Sequence, residues 1–152
     1  MDRIDRKILA EMQKNGRISL TELADKIGIS LSPCQRRVKQ LEQNGVIQGY
    51  QTVIDPKAVG LDFSAIVFVT LKNVVMDDVA KFELALQDLP EIIQAQRLFG
   101  DIDYILHIVT PSLESFQLFY DKKLTSLPNV LRLSSTLVMK EVVPKRALPL
   151  KI

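Results

Sequence analysis

The sequence predicts an α+β chain in two parts, an N-terminal winged helix-turn-helix and a C-terminal ferredoxin-like βαββαβ domain. Three observations predict it. Residues 1–45 hold three short amphipathic helices, the last two separated by one tight glycine turn. The remainder alternates as strand, helix, strand, strand, helix, strand. Positive charge gathers at the front: residues 1–54 carry nine Lys/Arg against six Asp/Glu (+3), and the rest carries eleven against twelve (−1). The division is residues 1–50 for the helix-turn-helix, 51–61 for a hinge and 62–152 for the second domain.

The first helix places Ile4, Ile8, Leu9 and Met12 at helical spacing and stops near Asn15-Gly16. The second opens on Ser19-Leu20-Thr21-Glu22, a capping-box pattern, and buries Leu20, Leu23, Ala24 and Ile27. Gly28 then sits where a left-handed cap is wanted. Ser30 is a good N-cap for the third helix, and Pro33 is tolerated in its first turn. That helix runs to Asn44-Gly45 with Leu31, Cys34, Val38 and Leu41 inward. A positioning helix, a glycine turn and a second helix free to enter the major groove make a helix-turn-helix.

At 100° per residue, the polar face of the third helix presents Ser32, Gln35, Arg36, Lys39 and Gln40. Arg and Gln can bond purine edges in pairs, while Lys and Ser anchor phosphates. Arg37 flanks the apolar stripe and suits an acid or a phosphate as well as a base. Gly45 to Tyr50 is expected to add a short wing strand. Asp55-Pro56 and Gly60 punctuate the hinge.

In the second domain, strands are expected at 62–72, 91–99, 102–109 and 130–140, with helices at 77–89 and 112–126. Gly100-Asp101 joins the middle strands. In the first strand Phe63, Ala65, Val67, Val69 and Leu71 face one way, and Ile66 and Phe68 the other. In the third, Ile102, Tyr104, Leu106 and Ile108 oppose Ile105 and Val109. Two helices cover one face of a four-stranded sheet, so the second apolar face calls for a partner, most economically a second copy. His107 falls on that second face as an interfacial residue.

Much chemistry is excluded. The 47% hydrophobic and 25% charged composition is that of a globular chain, not a disordered one. The N-terminus mixes acids with bases and has no apolar stretch behind it, so no secretory signal is read, and no run approaches a membrane span. A cytoplasmic location is expected. Cys34 alone forms no internal disulfide and is read as a small buried hydrophobe. One Cys and one His supply no zinc site, and the six glycines frame no phosphate loop. No catalytic constellation, metal or cofactor is expected.

Several runs carry a resemblance: Asp5-Arg6-Lys7-Ile8-Leu9, Asn15-Gly16-Arg17-Ile18-Ser19, Ser32-Pro33-Cys34 with Arg37-Val38 and Leu41-Glu42, then Gly45-Val46-Ile47-Gln48-Gly49-Tyr50. Gly100-Asp101-Ile102-Asp103-Tyr104 and Ala147-Leu148-Pro149-Leu150 continue it. Together they resemble the feast/famine (Lrp/AsnC) transcription regulators along nearly the whole chain. The resemblance implies a homodimer on double-stranded DNA that often assembles into a tetramer or octamer. It also implies a small amino-acid effector at a C-terminal interface, around Gly100 to Asp103. A glycine turn lets free N–H groups approach an α-carboxylate, and a carboxylate such as Asp103 can hold an α-ammonium. The candidate effector residues are Gly100, Asp101, Asp103 and Thr136, with Ser134 a weaker one.

Two other functions compete with a sequence-specific regulator. An architectural DNA-compacting protein would show little sequence preference. An amino-acid sensor acting through protein partners would lack a basic reading helix, which residues 32–40 do not. RNA binding is disfavoured, because the central strands lack paired exposed aromatics to stack bases.

Overall fold

The computed structural model describes all 152 residues as two compact units. One comprises residues 1–53 together with 142–152, and the other residues 54–141. The segment 142–152, assigned above to the second domain, therefore belongs with the first unit.

In the first unit, α1 (Arg3–Lys14), α2 (Leu20–Ile27) and α3 (Leu31–Gln43) surround a core of Ile8, Leu23, Ala24, Ile27, Cys34, Val38 and Leu41. Ile8, Leu23 and Cys34 are fully shielded from solvent. Burying an Ile or Leu side chain contributes about 1.5–3 kcal/mol, so this small cluster holds three short helices that would be marginal alone. Leu31 departs from the expected stripe: it opens the first turn of α3, beyond the reach of the core, and is exposed.

Helix ends are capped by local chemistry. Asp2 and Asp5 form a reciprocal capping box, each carboxylate accepting the other's backbone N–H at 2.9 Å. Ser19 accepts the Glu22 amide at 3.2 Å, but Glu22 does not return the bond and pairs with Lys26 instead. Gly28 closes α2 at φ 76°, and both its amide and that of Ile29 donate to the Ala24 carbonyl. A side chain there would be strained, and the turn needs this glycine. The expected wing strand does not form. The amides of Val46 and Ile47 both donate back to the Leu41 carbonyl, so residues 45–47 finish α3, and residues 48–50 join no strand.

The second unit is one antiparallel sheet, order β2-β3-β1-β4, backed by two helices. Its elements are β1 (Phe63–Leu71), α4 (Met76–Gln87), β2 (Ile92–Arg97), β3 (Tyr104–Thr110), α5 (Leu113–Lys122) and β4 (Val130–Leu137). This is the expected ferredoxin-like arrangement, with the last strand three residues shorter. Ala65, Val67 and Val69 of β1 and Tyr104, Leu106 and Ile108 of β3 face the helices, where Phe82, Phe116 and Phe119 cover them. The opposite face carries half-buried Ile66, Phe68, Ile105 and His107, with His107 across from Ile66. No helix is long and apolar enough to cross a membrane.

Candidate functional site

The reading face of α3 is built from periodicity. Cys34, Val38 and Leu41 anchor one side in the core, which turns Ser32, Gln35, Arg36, Lys39 and Gln40 out to solvent. Arg36 and Lys39 join no ion pair within the chain, so both charges remain free for an external anion. Arg37 behaves differently. Its guanidinium donates to Asp2 at 2.7 Å and Asp5 at 2.8 Å, tying α3 to the start of α1. The Asp5 amide and then Arg37 hold the Asp2 carboxyl below its usual 3.8, because both stabilise the charged form. Arg37 thus sits apart from the other five and positions the helix.

In the second unit, loop 98–103 joins β2 to β3 and rises beside the outer face of the sheet. Two of its motif residues have structural work. Strand β3 starts at Tyr104, so β1 runs out of partners there, and the Asp103 carboxylate accepts the Leu71 amide at 2.7 Å in place of a strand bond. The Asp103 amide itself donates to the Val69 carbonyl. Tyr104 points into the core; its hydroxyl donates to Glu83, and burial together with that carboxylate pushes it up to about 12. Gly100 lies outside the left-handed region, and a Cβ there would meet no atom within 4 Å. The turn therefore imposes no conformational need for glycine.

What the loop leaves open is its backbone. The amides of residues 99–102 donate to no other main-chain group. Beside them, Phe68, Thr70, Ile102, Arg132, Leu133 and Ser134 line a cavity of about 340 Å³, ample for a small ligand. Ile102, expected on the helix-facing side, lies outside β3 and lines this cavity instead. Thr136 pairs across from Ile66, four residues along β4 from Arg132, and neither it nor Gly100, Asp101 or Asp103 is among the lining residues. Ser134 is. Sequence reasoning missed Phe68, Thr70 and Arg132 as site residues, since only the pairing of β1 with β4 brings Thr70 and Arg132 opposite each other.

A tight helix-turn-helix with a free polar face, joined to a ferredoxin-like unit with a small-molecule cavity, defines a DNA-binding regulator with a ligand-binding domain. Residues 1–48 match the family model for winged helix-turn-helix DNA-binding, and residues 64–148 match that for the Lrp/AsnC ligand binding domain. The chain belongs to the Lrp/AsnC family of transcription regulators. It is 40% identical to the leucine-responsive regulatory protein of Escherichia coli, covering 99% of this chain and 92% of that one. It is 37% identical to the Bkd operon transcriptional regulator of Pseudomonas aeruginosa, over 99% and 98% of the two chains. Among solved structures, a transcriptional regulator of Neisseria meningitidis in complex with L-Met superposes with a TM-score of 0.92 at 32% identity, covering 98% of this chain and 96% of that one.

Proposed function

We propose that α3 reads DNA through Ser32, Gln35, Arg36, Lys39 and Gln40, and that a free amino acid bound beside loop 98–103 adjusts that binding. The observation that carries the DNA half is the unspent charge of Arg36 and Lys39 on the second helix of the motif. In the effector half, the free amides of residues 99–102 and the Arg132 guanidinium offer an α-carboxylate its donors. Asp101, exposed and without a partner, supplies the counter-charge for an α-ammonium, while Asp103 holds the loop in place. Phe68 and Ile102 favour an apolar side chain. The L-Met complex of the Neisseria relative supports the same ligand class.

The half-apolar outer sheet face supports self-association into a homodimer and higher closed assemblies. The reading is of a regulator rather than an enzyme, acting in the cytoplasm where DNA and free amino acids meet.

A thermal-shift screen of the common amino acids tests the effector half. Saturation at 100 times the dissociation constant adds about 2.7 kcal/mol to the liganded unit. Leucine or methionine should raise the melting point clearly, and Asp101→Asn should shrink that rise. If no amino acid moves the melting point, the sensing half fails and the DNA-binding half stands.

A further inference from the structure

We propose that the segment 142–152 is a second phosphate-binding element of the DNA-binding unit, with Lys145 and Arg146 as its contacts. This rests on the DNA-binding reading above and extends it to residues outside the helix-turn-helix.

The segment is fastened to α1 at two points. Gln13 and Leu148 bond reciprocally, the Leu148 amide donating to Gln13 Oε1 at 2.7 Å and Gln13 Nε2 donating to the Leu148 carbonyl at 3.4 Å. Arg6 donates to the Lys151 carbonyl at 2.9 Å. Both anchors on the segment side are main-chain groups, which leaves its side chains free. Pro144 and Pro149 restrict the backbone on either side of Lys145 and Arg146, which limits the reach of the chain between them. Lys145 and Arg146 lie three and two residues from the Gln13 anchor, are exposed, and join no ion pair.

Charge identifies the partner. The segment carries Lys145, Arg146 and Lys151 and no acid. Adding it to residues 1–53 gives the first unit twelve Lys/Arg against six Asp/Glu, a side-chain balance of +6. The second unit has eight against twelve, a balance of −4. Within one chain, a basic strip gains electrostatically by lying on the acidic unit. The fold instead places it on the basic one, where like charges repel. Burial compensates only in part: Leu150 is half-buried, but Leu148 remains 70% exposed and Ile152 58%. A unit that concentrates cations against self-repulsion suits a polyanion, and the backbone of double-stranded DNA is the one this unit already meets.

The test is the salt dependence of DNA affinity, measured by fluorescence anisotropy on the full chain. The duplexes are a genomic fragment that the wild type retains and a scrambled duplex of equal length. Lys145→Gln with Arg146→Gln should lower the slope of log K against log salt by about two for each protomer engaged. The loss should be equal on both duplexes, because phosphates carry no sequence information. The melting point should not move, because the anchoring groups are untouched. An unchanged slope overturns the proposal. So does an unchanged slope with altered sedimentation, which would assign these cations to the acidic unit of a second copy. Failure of the wild type to bind either duplex would instead remove the DNA-binding reading itself.

Discussion

Helix α3 and loop 98–103 spend their polar groups in opposite ways. On α3 the backbone is consumed by the helix, Arg37 and Glu42 are tied down, and the remaining polar side chains are free. In the loop the carboxylate of Asp103 is consumed, and the backbone amides of residues 99–102 are free. A helix therefore offers a partner side chains at fixed spacing, which suits a repeating surface such as the edge of a base pair. A short irregular loop offers N–H groups, which suit the carboxylate common to every amino acid. The glycines of the two regions differ in the same sense. Gly28 is required by a left-handed cap that sets up α3, while Gly100 is free of any such demand.

The largest expected effect separates the two roles that an acid can play in that loop. Asp103→Ala leaves the Leu71 amide without its acceptor, and an unpaired amide of this kind costs about 1–3 kcal/mol. The unliganded melting point of the second unit should fall by about 4–8 °C for each kcal/mol lost. Asp103→Asn, which keeps an acceptor oxygen, should recover most of it. Gly100→Ala should move stability by less than about 0.5 kcal/mol, since the added Cβ meets open space. Equal melting points for Asp103→Ala and the wild type would show that the carboxylate is not structural and return it to the ligand.

A smaller effect sharpens the α3 side. Arg37→Ala removes a clamp between solvent-screened groups, so thermal unfolding of the first unit should shift only slightly. The clamp also depends on acid. The folded-state pKa of Asp2 lies below its ordinary 3.8, so its contribution is present above that value and lost as pH falls through the lower folded one. Acid titration of the first unit should therefore show a loss of stability below about pH 4 that Arg37→Ala reduces, the part owed to the Asp5 amide remaining. An identical acid transition in both proteins would mean that Arg37 does not hold α1 to α3.

Most of the fold was legible because periodicity and caps are local signals. The stripes Ile8, Leu23–Ile27 and Cys34–Leu41 located the first core, and the alternation along β1 and β3 located the second. Local signals misled where a neighbour was needed to decide. Residues 45–50 have strand-like composition, yet the amides of Val46 and Ile47 return to the Leu41 carbonyl at the end of α3. Arg37 has the right type and almost the right angle for DNA, but Asp2 and Asp5, more than thirty positions away, claim it. Pairing between strands was equally silent: nothing in the order of residues joins Thr70 to Arg132, so the residues that line the cavity with Ile102 were not legible. The path of segment 142–152 was hidden for the same reason, because its docking depends on Gln13 and Arg6 of α1, far away in sequence.

The central claim is that the free residues of α3, and not the clamped one, read DNA. Its most direct measurement is the affinity of full-length wild type, Arg36→Ala and Arg37→Ala for a selected genomic duplex and its scrambled counterpart at one salt concentration. The expected result is that Arg36→Ala costs about 1–3 kcal/mol on the selected duplex and narrows the gap between the two sequences. Arg37→Ala should leave that gap intact. A gap that survives Arg36→Ala and collapses with Arg37→Ala would contradict the account.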